Sequence, residues 1–165
     1  MRPISLVLLS SACAATVTFT EAVARLPRTS PELPLTAQDT IVALAIREAV
    51  LRGIPDFPPQ RQVVVQRVPE VVSSRALPRI DSVSFFLLDT AQMTKMAAQV
   101  GDFGYLRPHA PRIYGDTAVV SLATELALKP RPHRMLLLGG AGCRWRAVRR
   151  SGAWVVDTVL GCLIS

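Results

Sequence analysis

Cys143 and Cys162 are the pair of side chains whose spacing most directly suggests covalent chemistry. Each lies in an alternating run, and the two runs flank a Gly-containing turn, the pattern of a β-hairpin. A two-residue Ser151-Gly152 turn sets Cys143 opposite Leu160. A Gly152-Ala153 turn, with Gly first as type II′ requires, sets it opposite Cys162. Both registers keep the same faces together, so the hydrophobic pattern does not choose between them. Directly opposed residues have Cα atoms roughly 4.5 to 5.5 Å apart, within disulfide range, whereas diagonal ones stand roughly 7 Å or more apart. The sequence therefore predicts the Gly152-Ala153 register, or a bulge with the same effect, and a Cys143–Cys162 bridge. Such a bridge contributes about 3 kcal/mol in the chain-entropy picture. Two buried free thiols are the alternative.

Other reactive side chains are sparse. The only histidines, His109 and His133, sit beside prolines in loop-like sequence and read first as solvated loop residues. Neither stands at zinc-ligand spacing from a further donor. The sequence contains no Gly-rich phosphate loop, Cys-x-x-Cys, His-Glu-x-x-His or Gly-x-Ser-x-Gly motif, and no cofactor is expected. Among the acids, Asp89 reads as a helix cap and Asp116 as a turn residue, while Asp157 falls on the face opposite Trp154, near arginines of the neighbouring strand. Asp102, beside Phe103 and Tyr105, is a candidate pocket acid, and Asp102, Tyr105 and His109 form the candidate pocket set.

Positive charge is the other lead, with a formal net charge of +7. Lys129, Arg131, His133 and Arg134 form one cluster, and Arg144, Arg146, Arg149 and Arg150 another. In the hairpin, Arg144, Arg146 and Arg150 alternate with Cys143, Trp145 and Ala147, which makes one face core and the other wet and cationic. Arg144, Arg146 and Arg150 are the candidate anion-binding residues, for phosphates, acidic glycans or an anionic membrane surface, against the plainer reading of a solvated face. Both tryptophans fall on the apolar face, leaving no evident platform for stacked bases, and a nucleic-acid partner is not expected.

The elements that carry these residues follow from capping and period. Thr36-Ala-Gln-Asp39 has the capping-box pattern, and Val42, Ala45, Ile46, Ala49 and Val50 follow at helical spacing up to Gly53, predicting a helix over 37–52. Asp89 to Gln92 is a second start signal, for a helix over 90–99 with Met93, Met96 and Ala97 on one face. A Val-rich strand over 62–68 is either limited to an edge or ended by Pro69, and an apolar strand or buried segment covers 83–88. From Phe103 the period becomes two. Strands are expected over 103–107, 117–128 and 135–138 before the closing hairpin, with 108–115 a turn region. The hairpin's second core face is read as Trp154, Val156, Leu160, Cys162 and Ile164. The expected class is α+β, with an amino-terminal helix and a second short helix packed against one face of a curved antiparallel sheet.

The amino terminus supplies an address. Met-Arg-Pro, an apolar run over 4–17 and Ala22-Val-Ala24 make a secretory signal peptide, too short for a comfortable span of about 20 apolar residues. Residues 1–24 are read as signal, 25–35 as a Pro-rich leader and 36–165 as a single domain, exported to the periplasm or beyond the cell. Ser10-Ser-Ala-Cys13 is a degraded lipoprotein box, with Ser where Leu usually stands, so lipidation through Cys13 is the lesser alternative, beside an uncleaved anchor. No further span is expected in the mature chain. Cleavage after Ala24 would leave an even pair of cysteines, as suits an exported protein.

Gly115-Asp-Thr-Ala-Val-Val, Cys143-x-Trp and Arg149-Arg-Ser-Gly-x-Trp154-x-Val resemble a pattern of exported bacterial proteins without assigned function. The layout is also similar to the nuclear transport factor 2-like cone, in which helices pack on a bent sheet around a pocket. That resemblance covers about half of the mature chain and implies a fold rather than an activity, because the superfamily mixes enzymes with binding and dimerisation modules. It matches no catalytic residue. The leading expectation is a non-catalytic ligand-binding or assembly module. The alternatives are a pocket hydrolase or isomerase using a carboxylate or histidine, and binding of a polyanion or the envelope surface through the arginine strand.

Overall fold

The computed structural model describes residues 36–54, 57, 60–74, 76–130 and 140–164. The segments read as signal peptide, leader and 135–138 strand, together with His133 and most of the Lys129–Arg134 basic cluster, lie outside the described residues.

Helix α1 spans Ala37–Arg52. The Thr36 hydroxyl accepts from the Asp39 amide at 3.1 Å, and the Asp39 carboxylate accepts from the Thr36 amide at 3.2 Å. Two amides that the first turn leaves without helical partners are thereby satisfied. Ile41, Val42, Ala45, Ile46 and Ala49 recur at helical spacing and are all buried. Full burial of an aliphatic side chain of this size contributes about 1.5–3 kcal/mol.

The strands are β1 (Gln62–Gln66), β2 (Ser84–Leu88), β3 (Phe103–Pro108), β4 (Arg112–Tyr114), β5 (Thr117–Ala127), β6 (Ala141–Arg150) and β7 (Ala153–Ile164), with helix α2 (Thr90–Val100) between β2 and β3. They form one seven-stranded sheet of order β2-β1-β3-β5-β6-β7, with β4 pairing β5. The chain thus adopts the expected α+β class and closes in a carboxy-terminal β-hairpin. The pairing is mixed: β1 runs parallel to both β2 and β3, and the remaining pairs are antiparallel. Parallel strands cannot be joined by a tight turn, and α2 supplies the crossover that carries the chain from β2 over β1 to β3. Consequently β1 is an interior strand rather than an edge. Pro69 lies beyond its last residue, so the missing proline N–H costs the ladder nothing.

The two helices occupy opposite faces, not the single face expected. Val63, Val65, Leu106, Leu122 and Trp145 join the α1 residues in the main core. Val64, Leu88 and Tyr105 pack with Met93 and Met96 of α2 on the other side. Adjacent strand residues point to opposite faces, which is how Val63, Val64 and Val65 divide between the two clusters. The inner face, where a cone would hold its pocket, is filled: Leu106 and Val120 are fully buried and Trp145 is 2 % exposed. Trp154 and Val156 pack against this core.

The closing hairpin turns at Ser151-Gly152, both with positive φ (49° and 81°), the conformation of a type I′ turn, in which Gly152 carries no steric penalty. This turn differs from the Gly152-Ala153 turn expected. Arg149 pairs with Trp154 and Ala147 with Val156, but the register steps twice further along, leaving Asp157 and Leu160 as extra residues of β7. The two steps bring Cys143 opposite Cys162, the bulge alternative, and the disulfide is formed with Cα atoms 4.1 Å apart. Leu160 and Ile164, read from sequence as core, are 43 % and 69 % exposed. The α1-covered core takes in Ala141 and Cys143 on β6, whereas the end of their partner β7, at the sheet's edge, is exposed.

Candidate functional site

Antiparallel register turns the sheet face opposite α1 into rows of side chains. In one row the pairs Arg107↔Ala123, Ala123↔Gly142 and Gly142↔Leu163 run from β3 to β7. In the next, the His109 amide donates to the Ser121 carbonyl at 3.0 Å, Ser121 pairs with Arg144, and Arg144 with Gly161. α2 packs over the β2–β1–β3 end of this face. Among the described residues nothing covers its β5–β7 end, where Arg144 and Arg146 are exposed.

Small residues at the crossing of these rows leave a hollow of about 350 Å³. Ser121, Ala123, Gly142 and Gly161 make the floor, and His109, Arg144, Leu160 and Leu163 stand around it. A Cβ at Gly142 would approach the Leu122 carbonyl oxygen to 3.3 Å, so glycine both lowers the floor and lets the strands close. The volume sits at the low end of small-molecule sites.

The surrounding charges differ in their commitments. Asp157, aimed outward from its bulge, takes both Arg146 and Arg150, the latter at 2.8 Å. Glu125 accepts from Arg107 at 3.0 Å and from the Tyr105 hydroxyl at 2.5 Å. Arg144 has no carboxylate partner among the described residues. Of the three arginines read from sequence as anion-binding, two therefore share one carboxylate, and Arg144 has none among the described residues.

The candidate pocket residues are not gathered in one place. Asp102 accepts from the Lys129 amide at 2.7 Å and serves as a loop clasp, with its side chain at the exposed end of the sheet. Tyr105 is buried beneath α2, and its hydroxyl is pushed well above the usual phenol range, chiefly by burial and then by the Glu125 carboxylate that accepts its proton. His109 alone of the three lines the hollow, which it shares with Arg144 across β5. A wider opening of about 500 Å³, beside Arg61 and Phe103, has no second charged lining residue among the described residues. Among the described residues no three His, Cys, Asp or Glu side chains gather to hold a metal.

The arrangement can bind an anion. A guanidinium offers a planar fork of N–H donors that matches a carboxylate or phosphate, and the imidazole and the Ser121 hydroxyl add donors from the opposite side and the floor. The nearby carboxylate, Glu125, is already engaged by Tyr105 and Arg107. The floor residues and the exposed leucines escaped the sequence reading. Their signal, small residues at Ser121, Ala123, Gly142 and Gly161, becomes visible only once register aligns them. No protein-family model, curated protein or solved structure matches the chain.

Proposed function

We propose that this protein is an exported, non-catalytic binding module whose ligand is a small anion held between His109 and Arg144. The observation that carries the reading is Arg144: it lines the hollow opposite His109, while the neighbouring Arg146 and Arg150 are held by Asp157. A cation left without a carboxylate beside a small-residue floor is a ready receptor for an anionic group. Export is supported by the Cys143–Cys162 bridge, since such bonds persist in oxidising compartments. Among the described residues no helix is long and apolar enough to cross a membrane.

The test is a titration of the isotope-labelled protein with inorganic phosphate and with acetate, followed by amide and side-chain NMR. Shifts are expected at His109, Ser121 and Arg144. Arg144→Ala should weaken binding at least about tenfold, the scale of losing one charge-assisted hydrogen bond. Arg146→Ala should leave it nearly unchanged, and Ala123→Leu should block it by filling the floor. Shifts spread evenly over Arg112, Arg146 and Arg150, indifferent to Arg144→Ala, would show a diffuse cationic face and overturn the site.

A further inference from the structure

The same hollow has an apolar side, and it points to the chemistry of the ligand. Leu160 and Leu163 line it together with Arg144. Leu163 is 74 % exposed and Leu160 43 % exposed. Isolated exposed leucines are ordinary, but here they are contiguous with a recess and with a cation that has no carboxylate partner among the described residues. From β3 to β7 the recess crosses three strand spacings, roughly 14 Å. It offers charge on one row and hydrocarbon at its β7 end.

We infer that the ligand is an amphipathic anion, a carboxylate or phosphate head on an aliphatic chain, with the head at Arg144 and His109 and the chain laid over Ala123 and Gly142 against Leu160 and Leu163. The inference rests on the anion reading above. A free acyl anion and a lipid of an anionic membrane share this chemistry. In either, the chain would cover the apolar edge of β7 that the described residues leave open, and a plain inorganic anion would not.

The decisive measurement is a chain-length series. The protein is titrated with acetate, hexanoate and decanoate below their aggregation limits, with decanol as the uncharged control. Separate samples meet vesicles of phosphatidylglycerol or of phosphatidylcholine. A methylene fully removed from water is worth about fourfold in affinity, and one half-covered on an open surface about twofold. Decanoate should therefore bind at least about tenfold tighter than acetate. Leu163→Ser should erase most of that gain while leaving acetate binding intact, and because Leu163 is exposed the variant is expected to fold. Arg144→Ala should weaken every member of the series, and decanol should bind poorly. Binding to phosphatidylglycerol vesicles, lost in Leu163→Ser, would assign the chain to a membrane lipid. Binding of decanoate without vesicle binding would assign it to a soluble acyl anion. Equal affinity for acetate and decanoate, or a chain-length gain untouched by Leu163→Ser, would overturn the amphipathic ligand and leave the anion site standing. Binding of none of the anions would overturn both.

Discussion

Cys143 and Cys162 face each other across β6 and β7, Cα atoms 4.1 Å apart, because two bulges in β7 carry the pairing two residues beyond what the Ser151-Gly152 turn sets. Bulges interrupt a ladder and bend the strand that holds them. The bridge thus pins the free end of an edge strand after its regular pairing has been broken twice. Replacing both cysteines by alanine should lower stability by about 3 kcal/mol in denaturant unfolding. Amide exchange over 160–164 should rise more than exchange near the Ser151-Gly152 turn. Uniform acceleration along β7 would mean that the bulges need no pin.

Asp39 closes the cap of α1 and also accepts from the Ser73 hydroxyl at 2.8 Å, tying the helix start to the loop after β1. Burial raises its carboxyl, but the hydrogen bonds from Ser73 and Thr36 together outweigh it and hold the group below its ordinary value of 3.8. A depressed carboxylate adds stability that is complete above the unfolded-state value and is lost as pH falls through the folded one. Wild-type stability should therefore drop below about pH 4. Asp39→Asn should be less stable at neutral pH and should lose less on acidification, measured by urea midpoints from pH 7 down to 2.5. Parallel curves for the two proteins would refute the assignment.

Tyr105 works in the opposite direction. Its phenol is buried beneath α2 and donates to Glu125, so ionisation is resisted in the folded protein. The unfolded chain releases that proton near the ordinary value of 10.0, and stability falls as pH rises beyond it. An ultraviolet pH titration of the native protein should show a tyrosine that resists ionisation well beyond the ordinary phenol range, and that signal should be absent in Tyr105→Phe. Tyr105→Phe should remove the alkaline loss, at the cost of leaving a Glu125 oxygen without its donor. Ionisation of Tyr105 in the ordinary phenol range in the native protein would contradict this.

Asp157 restrains the cationic face. Its pairs with Arg146 and Arg150 involve guanidinium side chains that are 46 % and 69 % exposed, so Asp157→Asn should cost less than about 1 kcal/mol per pair. The two released arginines should instead show in polyanion binding, with elution from a heparin column moving to higher salt. Unchanged elution would mean that these arginines were never held back.

Local rules made much of the molecule legible. Both capping boxes, at Thr36 and Asp89, and the helical spacing that follows them are short-range patterns, and the helices start where those patterns place them. Alternation located β5 and the hairpin because inner and outer residues differ in polarity. The 108–115 segment hid β4, a three-residue strand with every residue exposed, too short for any period to show. The direction of β1 was equally hidden, since an apolar run looks the same whether its neighbours run parallel or antiparallel.

Sequence alone determined the class, the helices, the two-faced hairpin and the choice of Cys143 with Cys162 as partners, because capping, period and the reach of a disulfide act over short distances. Tertiary structure decided the rest: which face each helix covers, where β7 slips, which arginine Asp157 leaves free, and that His109 and Arg144 share one hollow. His109 follows the end of β3 and Arg144 lies on β6, with β5 between them. Their meeting depends on the register of three strands at once, and register is a property of the paired sheet rather than of any one strand.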